Sequence, residues 1–322
     1  MTIEPFSPSV DGGVIEDLRE RLGRTRWSSQ PKGLGWELGA DVVYLQELCG
    51  HWAEAYDFGR LERILGGYEN GRSNGVHFLR AAASGLGEGE GLPIVLVHGW
   101  PGGVIEFTKL IPLLSAAGHE VIAPSLPGYG FSAELDRPPN AARVAALIGE
   151  LMAELGYERY ILQGGDWGSP ISFQLALQVP DRVAALHLNA VSVLPAPPEL
   201  AEPPLSEAEQ EFIQTGLRWR TRAGYHLFLH GAAPDSASVA FADSPAGLAA
   251  WLVDKYRRWS DCDGVVERRF SKDELCDFLT LYWATGTIAS SMRLYWGEAR
   301  ERSRLAAGQR VSVPAAVADF PA

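Results

Sequence analysis

Cysteine is scarce: Cys49, Cys262 and Cys276 are the three in a chain of 322 residues. An odd, widely spaced set offers neither a disulfide framework nor the close ligand pairs of a zinc site, and it fits a reducing, cytoplasmic setting. Basic clusters are missing too. Lys and Arg number 28 against 40 Asp and Glu, leaving a formal charge of −12 that repels a phosphate backbone, so nucleic acid is excluded as a partner. No apolar run approaches the roughly 20 residues that span a bilayer. The start, Met1-Thr-Ile-Glu-Pro-Phe-Ser-Pro, lacks the basic-then-apolar pattern of an export signal. Internal repeats and coiled-coil heptads are also absent. What is present is an ordinary globular balance, 46% hydrophobic and 21% charged, in a chain long enough to bury a large core.

Apolar positions recur three and four apart over residues 14–22 and again over 41–65, which predicts an N-terminal helical arm covering residues 1–70. Glu69-Asn-Gly-Arg-Ser-Asn-Gly reads as turn, residues 76–80 as a strand and 84–91 as a surface loop. The glycines of that loop invite a nucleotide-binding reading. It fails, because Glu88 and Glu90 would face the phosphates and a strand follows where a phosphate-binding helix should begin. From Pro93 onward short apolar strands (94–97, 120–123, 160–162, 183–188) alternate with amphipathic helices (107–117, 141–155, 172–178). This alternation predicts an α/β core over residues 71–195 with a doubly wound, largely parallel sheet. Prolines crowd residues 195–204 and read as a hinge. Residues 196–300 are helical and aromatic, with Trp219, Tyr225, Trp251, Trp259, Tyr282, Trp283, Tyr295 and Trp296, and predict a lid. Residues 301–322 read as a return to the core, cut off at its end.

The most informative segment is Tyr160-Ile-Leu-Gln-Gly-Gly-Asp-Trp-Gly-Ser-Pro: a strand, small residues around one acid, then a helix. That is the layout of a nucleophile elbow with Asp166 where serine usually stands. The turn is too tight for side chains at Gly164 and Gly168, and it presents Asp166 at the positive end of a helix dipole. A carboxylate attacks amides poorly but displaces at a strained saturated carbon, leaving an ester that water must cleave. The plain alternative for Asp166 is an N-cap, which leaves the flanking small residues unexplained. Upstream, His98-Gly-Trp-Pro-Gly-Gly turns sharply after a strand, so the backbone N–H groups of Trp100 and Trp167 are the expected oxyanion hole.

On these segments the chain resembles the microsomal and juvenile-hormone type epoxide hydrolases and their bacterial relatives, members of the α/β-hydrolase superfamily with an N-terminal helical arm. The resemblance covers nearly the whole chain. It rests on the arm, His98-Gly-Trp-Pro-Gly, Gln163-Gly-Gly-Asp-Trp-Gly-Ser, Asp243-Ser-Pro-Ala-Gly-Leu-Ala-Ala-Trp and Tyr282-Trp-Ala-Thr-Gly-Thr-Ile-Ala-Ser-Ser-Met-Arg-Leu-Tyr. It implies an α/β-hydrolase fold with an inserted lid, and attack of Asp166 on an epoxide to give an alkyl-enzyme ester that is hydrolysed to a vicinal diol. It also implies two lid tyrosines, Tyr225 and Tyr295 by motif, that donate hydrogen bonds to the ring oxygen. The bland alternative is that both simply pack against the core. No metal or organic cofactor is implied, and the aromatic lid fits a small hydrophobic epoxide as partner.

Departures from the family carry expectations of their own. Leu227-Phe-Leu-His-Gly-Ala-Ala replaces the usual polar stretch after Tyr225, so the pocket is reshaped and the substrate is not inherited. The family's activating histidine and its acid follow the Phe-Pro-x matched by residues 320–322, which places both past Ala322. On that reading the last core strand and its helix are missing, hydrolysis of the ester is slow, and uncovered sheet invites a homodimer. His226 and His230 in the lid would replace the base only beside an orienting acid. Two further readings stay open: a catalytically dead member of the fold that binds an apolar ligand, and a haloalkane dehalogenase-like hydrolase, which Trp100 and Trp167 allow and the tyrosine pair disfavours.

Overall fold

The computed structural model describes residues 3–85, 91–190, 204–303, 309–318 and 320. Its strands are β1 (Glu4–Pro5), β2 (Glu69–Ser73), β3 (Val76–Ala81), β4 (Ile94–Val97), β5 (Val121–Pro124), β6 (Tyr160–Gly165), β7 (Val183–Asn189) and β8 (Ala315–Ala318). They form one sheet in the order β1-β2-β3-β5-β4-β6-β7-β8, antiparallel from β1 to β5 and parallel from β5 to β8. Continuous apolar runs make β4 and β5 buried throughout, as strands covered on both faces require. The crossovers include α4 (Ile111–Ala116), α5 (Ala141–Glu154) and α6 (Gly168–Gln178). This is the doubly wound α/β architecture expected from the alternation.

The chain leaves β4 for β5 on one side and reaches β6 on the other, so the winding reverses at β4. Val97 pairs with Gly164, and the turn after β4 therefore lies beside the turn after β6. A crevice at the C-terminal ends of strands where the order reverses is the usual ligand site of such sheets.

Some elements differ from the sequence reading. Glu69–Ser73, read as turn, is strand β2, and only Asn74 and Gly75 turn, at φ 48° and 76°. Asn-Gly is the preferred pair for such a two-residue hairpin. The helix expected over 41–65 is two, α2 (Val42–Glu54) and α3 (Gly59–Gly66). Tyr56 and Phe58 break it by packing edge to face at 5.1 Å inside the core. The hinge expected over 195–204 falls almost entirely outside the described residues.

The segment expected to form a lid holds α7 (Glu207–Arg222), α8 (His226–Ala232), α9 (Pro234–Asp243), α10 (Pro245–Arg258), α11 (Lys272–Thr285) and α12 (Ile288–Arg300). Ser206 with Glu209 and Ser271 with Glu274 form capping boxes that set the starts of α7 and α11. The arm clamps this lid from outside. Trp52 Nε1 donates to Thr280 Oγ1 at 2.9 Å, and Asp277 accepts from Tyr56 Oη at 2.7 Å and from Arg60 Nε at 3.0 Å. Among the described residues no helix is long and apolar enough to cross a membrane, and Cys49, Cys262 and Cys276 are free thiols.

Candidate active site

Asp166 sits between β6 and α6 with φ +49°, a left-handed conformation that a non-glycine residue adopts only where its surroundings impose it. The surroundings here are glycines with no room for a side chain. A Cβ on Gly164 would stand 2.1 Å from the Gly168 carbonyl oxygen, and one on Gly168 would stand 1.9 Å from that of Val97. The Asp166 side chain does not cap α6, which has no side-chain cap. Instead its Oδ1 accepts the Trp100 backbone N–H at 2.8 Å. Burial lifts this carboxyl above the ordinary aspartate range, and the N–H groups of Trp100 and Trp167 oppose the lift. Those are the two donors expected to form the oxyanion hole.

The turn that carries Trp100 is held from several sides. His98 is buried, its Nε2 accepting from Leu126 N at 3.0 Å and its Nδ1 facing Gly99 O at 3.0 Å. Burial lowers its pKa to about 4, so this imidazole is a neutral strut. The Trp100–Pro101 peptide is cis. Tyr256 of α10 donates to Pro101 O at 3.0 Å and Tyr282 of α11 to Gly102 O at 2.9 Å, tying the lid to the turn.

Tyr295 of α12 reaches this site. Its ring meets Trp167 at 4.8 Å and Trp100 at 6.0 Å, both edge to face. Its hydroxyl is buried with no hydrogen-bond partner. Burial, then the nearby Asp166 charge, pushes its pKa well above 10, which keeps the phenol neutral and able to donate. Tyr225 is placed differently. It stands just before α8 and donates to Asp254 Oδ2, while the fully buried Lys255 donates to the Tyr225 hydroxyl and lies 3.6 Å from its ring centroid. Arg258 Nε completes the cluster at 2.6 Å from Asp254 Oδ1. The structure therefore brings Asp166, Trp100, Trp167 and Tyr295 together and turns Tyr225 toward ion-paired groups of α10.

His226 and His230 pack on the site, stacked on Trp100 at 5.4 Å and edge-on at 4.6 Å. Neither has the orienting acid that a base needs: His226 Nδ1 and both nitrogens of His230 are buried without a partner. Burial lowers them to about 3 and about 2, so they form a neutral aromatic wall.

One acid escaped the sequence reading. Glu106 lies in the short 3-10 turn Val104–Phe107, and its only signal was an acid inside the apolar run Val104-Ile-Glu-Phe. It stays exposed while every other residue from Val97 to Phe107 is buried. Yet it lies deep enough that burial, then the Asp166 charge, raises its pKa to about 8. Glu106 is thus surrounded by protein atoms and still touched by solvent, and its carboxyl takes the Gly103 backbone N–H. Asp166 combines the same two properties. A separate open recess of about 490 Å³, with Ser9, Arg72, Thr287 and Ser290 on its walls, includes none of these residues. Among the described residues no cluster of His, Cys, Asp or Glu could hold a metal ion.

Comparison with known proteins bears on the family and the fold. A family model described as epoxide hydrolase N terminus matches residues 3–107, and one described as alpha/beta hydrolase fold matches residues 93–242. A candidate epoxide hydrolase of Stigmatella aurantiaca is 39% identical over 99% of this chain and 74% of its own. The juvenile hormone epoxide hydrolase of Bombyx mori is 34% identical over 91% of this chain and 70% of its own. The crystal structure of the juvenile hormone epoxide hydrolase from Bombyx mori superposes with a TM-score of 0.84 at 31% identity, covering 99% of this chain and 82% of that one. The chain belongs to the epoxide hydrolase family, on the α/β-hydrolase fold.

Proposed function

We propose that this protein opens a small hydrophobic epoxide, with Asp166 as nucleophile. The observation that carries the reading is the pairing of a left-handed Asp166, fixed by the Trp100 N–H at 2.8 Å, with the unpartnered hydroxyl of Tyr295 in the same aromatic cluster. One Asp166 oxygen attacks a ring carbon and the carbon–oxygen bond breaks. The ring oxygen takes the Tyr295 proton as it leaves, since a neutral phenol is the acid at hand. The ester that results is cleaved by water at the Asp166 carbonyl carbon. During that step the N–H groups of Trp100 and Trp167 stabilise the oxyanion. The names of the relatives support epoxides as the substrate class, and the wall of Trp100, Trp167, Tyr295, His226 and His230 supports an apolar one.

The test is intact-mass measurement of the protein incubated with a styrene-oxide-like epoxide, with a parallel assay for diol. A gain of one epoxide mass, or steady diol production, either of which vanishes in Asp166→Asn, is the expected result. No adduct and no diol would refute it.

A further inference from the structure

Polar atoms without partners gather around the Trp100 indole. Tyr295 Oη, Trp100 Nε1, Trp251 Nε1, His226 Nδ1 and both ring nitrogens of His230 are sealed from solvent and have no hydrogen-bond partner among the described residues. His230 is the hub of the set. Its ring centre lies 4.6 Å from that of Trp100, 4.9 Å from Tyr295, 5.5 Å from His226 and 5.8 Å from Trp251. His230 is 0% exposed and His226 2%, so neither satisfies its nitrogens at the surface. A buried polar group left unpaired lowers stability, and a wall that needed only packing would be built of phenylalanine or leucine. The edge-on contact with Trp100, at 83°, offers a ring face to at most one His230 N–H. The other nitrogen of a neutral imidazole is a lone pair, and ring faces repel it.

We propose that this cluster recognises a neutral oxygen acceptor, an ether or carbonyl oxygen, on the substituent of the epoxide, with His230 as the specificity-determining residue. This rests on Asp166 opening an epoxide, and it refines the apolar substrate to one that carries an accepting oxygen beside its ring. The indole N–H groups of Trp100 and Trp251, the Tyr295 hydroxyl and one N–H of His230 make the set richer in donors than in acceptors, which selects an acceptor. Charge selects a neutral one. An anion is repelled by Asp166, whose Oδ1 lies 2.8 Å from Trp100 N, and a cation by Lys255, whose Nζ lies 4.3 Å from the Trp251 ring centre.

Tyr295 joins the two ends of the substrate. In the proposed reaction its hydroxyl serves the epoxide oxygen, and its ring packs on His230, so the group next to the epoxide reaches the unpaired donors. Entry of the substrate parts these rings. An oxygen then gains hydrogen bonds from donors that surrender no bulk hydration, whereas a methylene of the same size gains none.

The experiment follows alkylation of Asp166 by intact mass, with diol release in parallel, for two epoxides of the same length: phenyl glycidyl ether and phenethyl oxirane, in which a methylene replaces the ether oxygen. Acetate, a carboxylate with no protein around it, supplies the intrinsic reactivity ratio of the pair. The parent is expected to favour the ether about tenfold more than acetate does, the effect of one neutral hydrogen bond. His230→Phe keeps a ring and removes both nitrogens, and should return the ratio to that of acetate. A parent ratio equal to that of acetate would overturn the proposal and leave Asp166 as nucleophile, and so would a parent ratio that survives in His230→Phe. The comparison with acetate needs no variant, so it decides even where the substitution upsets folding. Failure of the parent to react with either epoxide would overturn the nucleophile together with the proposal.

Discussion

The seat of Asp166 can be tested without touching a reacting group, through Gly99→Ala. The added methyl would stand 2.2 Å from Asp166 Oδ1, 2.4 Å from its Cβ and 2.6 Å from its Cγ. Ordinary contact lies at about 3.5 Å, so the carboxylate must retreat by about 1 Å. Gly99 is not in the left-handed region, so the methyl adds crowding and no backbone strain. That retreat stretches the 2.8 Å bond from Trp100 N–H beyond hydrogen-bonding range. A misplacement of about 1 Å costs on the order of 100-fold in rate, which is about 2.7 kcal/mol of barrier. Overpacking of this size costs about 1–3 kcal/mol in stability, measurable by urea unfolding. Gly165→Ala is the control, since its Cβ would meet the Asn189 side chain at 3.4 Å, an ordinary contact. Alkylation by an epoxide, followed as mass gain against time, should fall about 100-fold in Gly99→Ala and stay near the parent rate in Gly165→Ala. Equal rates in Gly99→Ala and the parent would show that the turn does not position the nucleophile.

The two family tyrosines should separate. Tyr295→Phe is expected to slow alkylation by about 100-fold or more, whereas Tyr225→Phe should change it less than about tenfold and lower stability by about 1.5–3 kcal/mol, because its hydroxyl serves Asp254 and Lys255; paired rate and unfolding measurements check this. Glu106 links stability to pH. Its folded pKa of about 8 lies above its ordinary 4.5, so between those values the folded state holds more protons and stability falls as pH rises. Glu106→Gln should therefore gain in melting temperature over the parent as pH rises from 4.5 to 8, and a difference independent of pH would contradict the placement. Asp277→Ala should cost about 1–3 kcal/mol by leaving the buried Tyr56 hydroxyl unpaired, with proteolysis of the arm as readout of its undocking from α11.

Most of the core was legible because its signals are local. Strand residues 94–97 and 160–162 are apolar at each step, and the elbow needs glycine where a Cβ would strike backbone at about 2 Å, so Gly164, Asp166 and Gly168 announce themselves. Strand β2 was missed because Glu69-Asn-Gly-Arg-Ser carries turn residues, and its pairing with β3 overrides their local preference. Helices α2 and α3 were run together because periodicity does not see that Tyr56 and Phe58 face the core.

The chain order alone determined an α/β sheet, a tight strand-to-helix turn carrying Asp166 and a glycine-rich turn after the strand at 94–97, since each depends on residues adjacent in sequence. Only the tertiary structure decided which lid groups meet Asp166. Tyr295 comes from α12 and arrives over Trp167, while Tyr225 is held 29 residues away in sequence by Asp254. Glu106 lies 60 positions before Asp166, and only the Val97–Gly164 pairing of β4 with β6 makes them neighbours. Distances across a sheet and the charges it brings close are properties of the fold as a whole, and no single segment carries them.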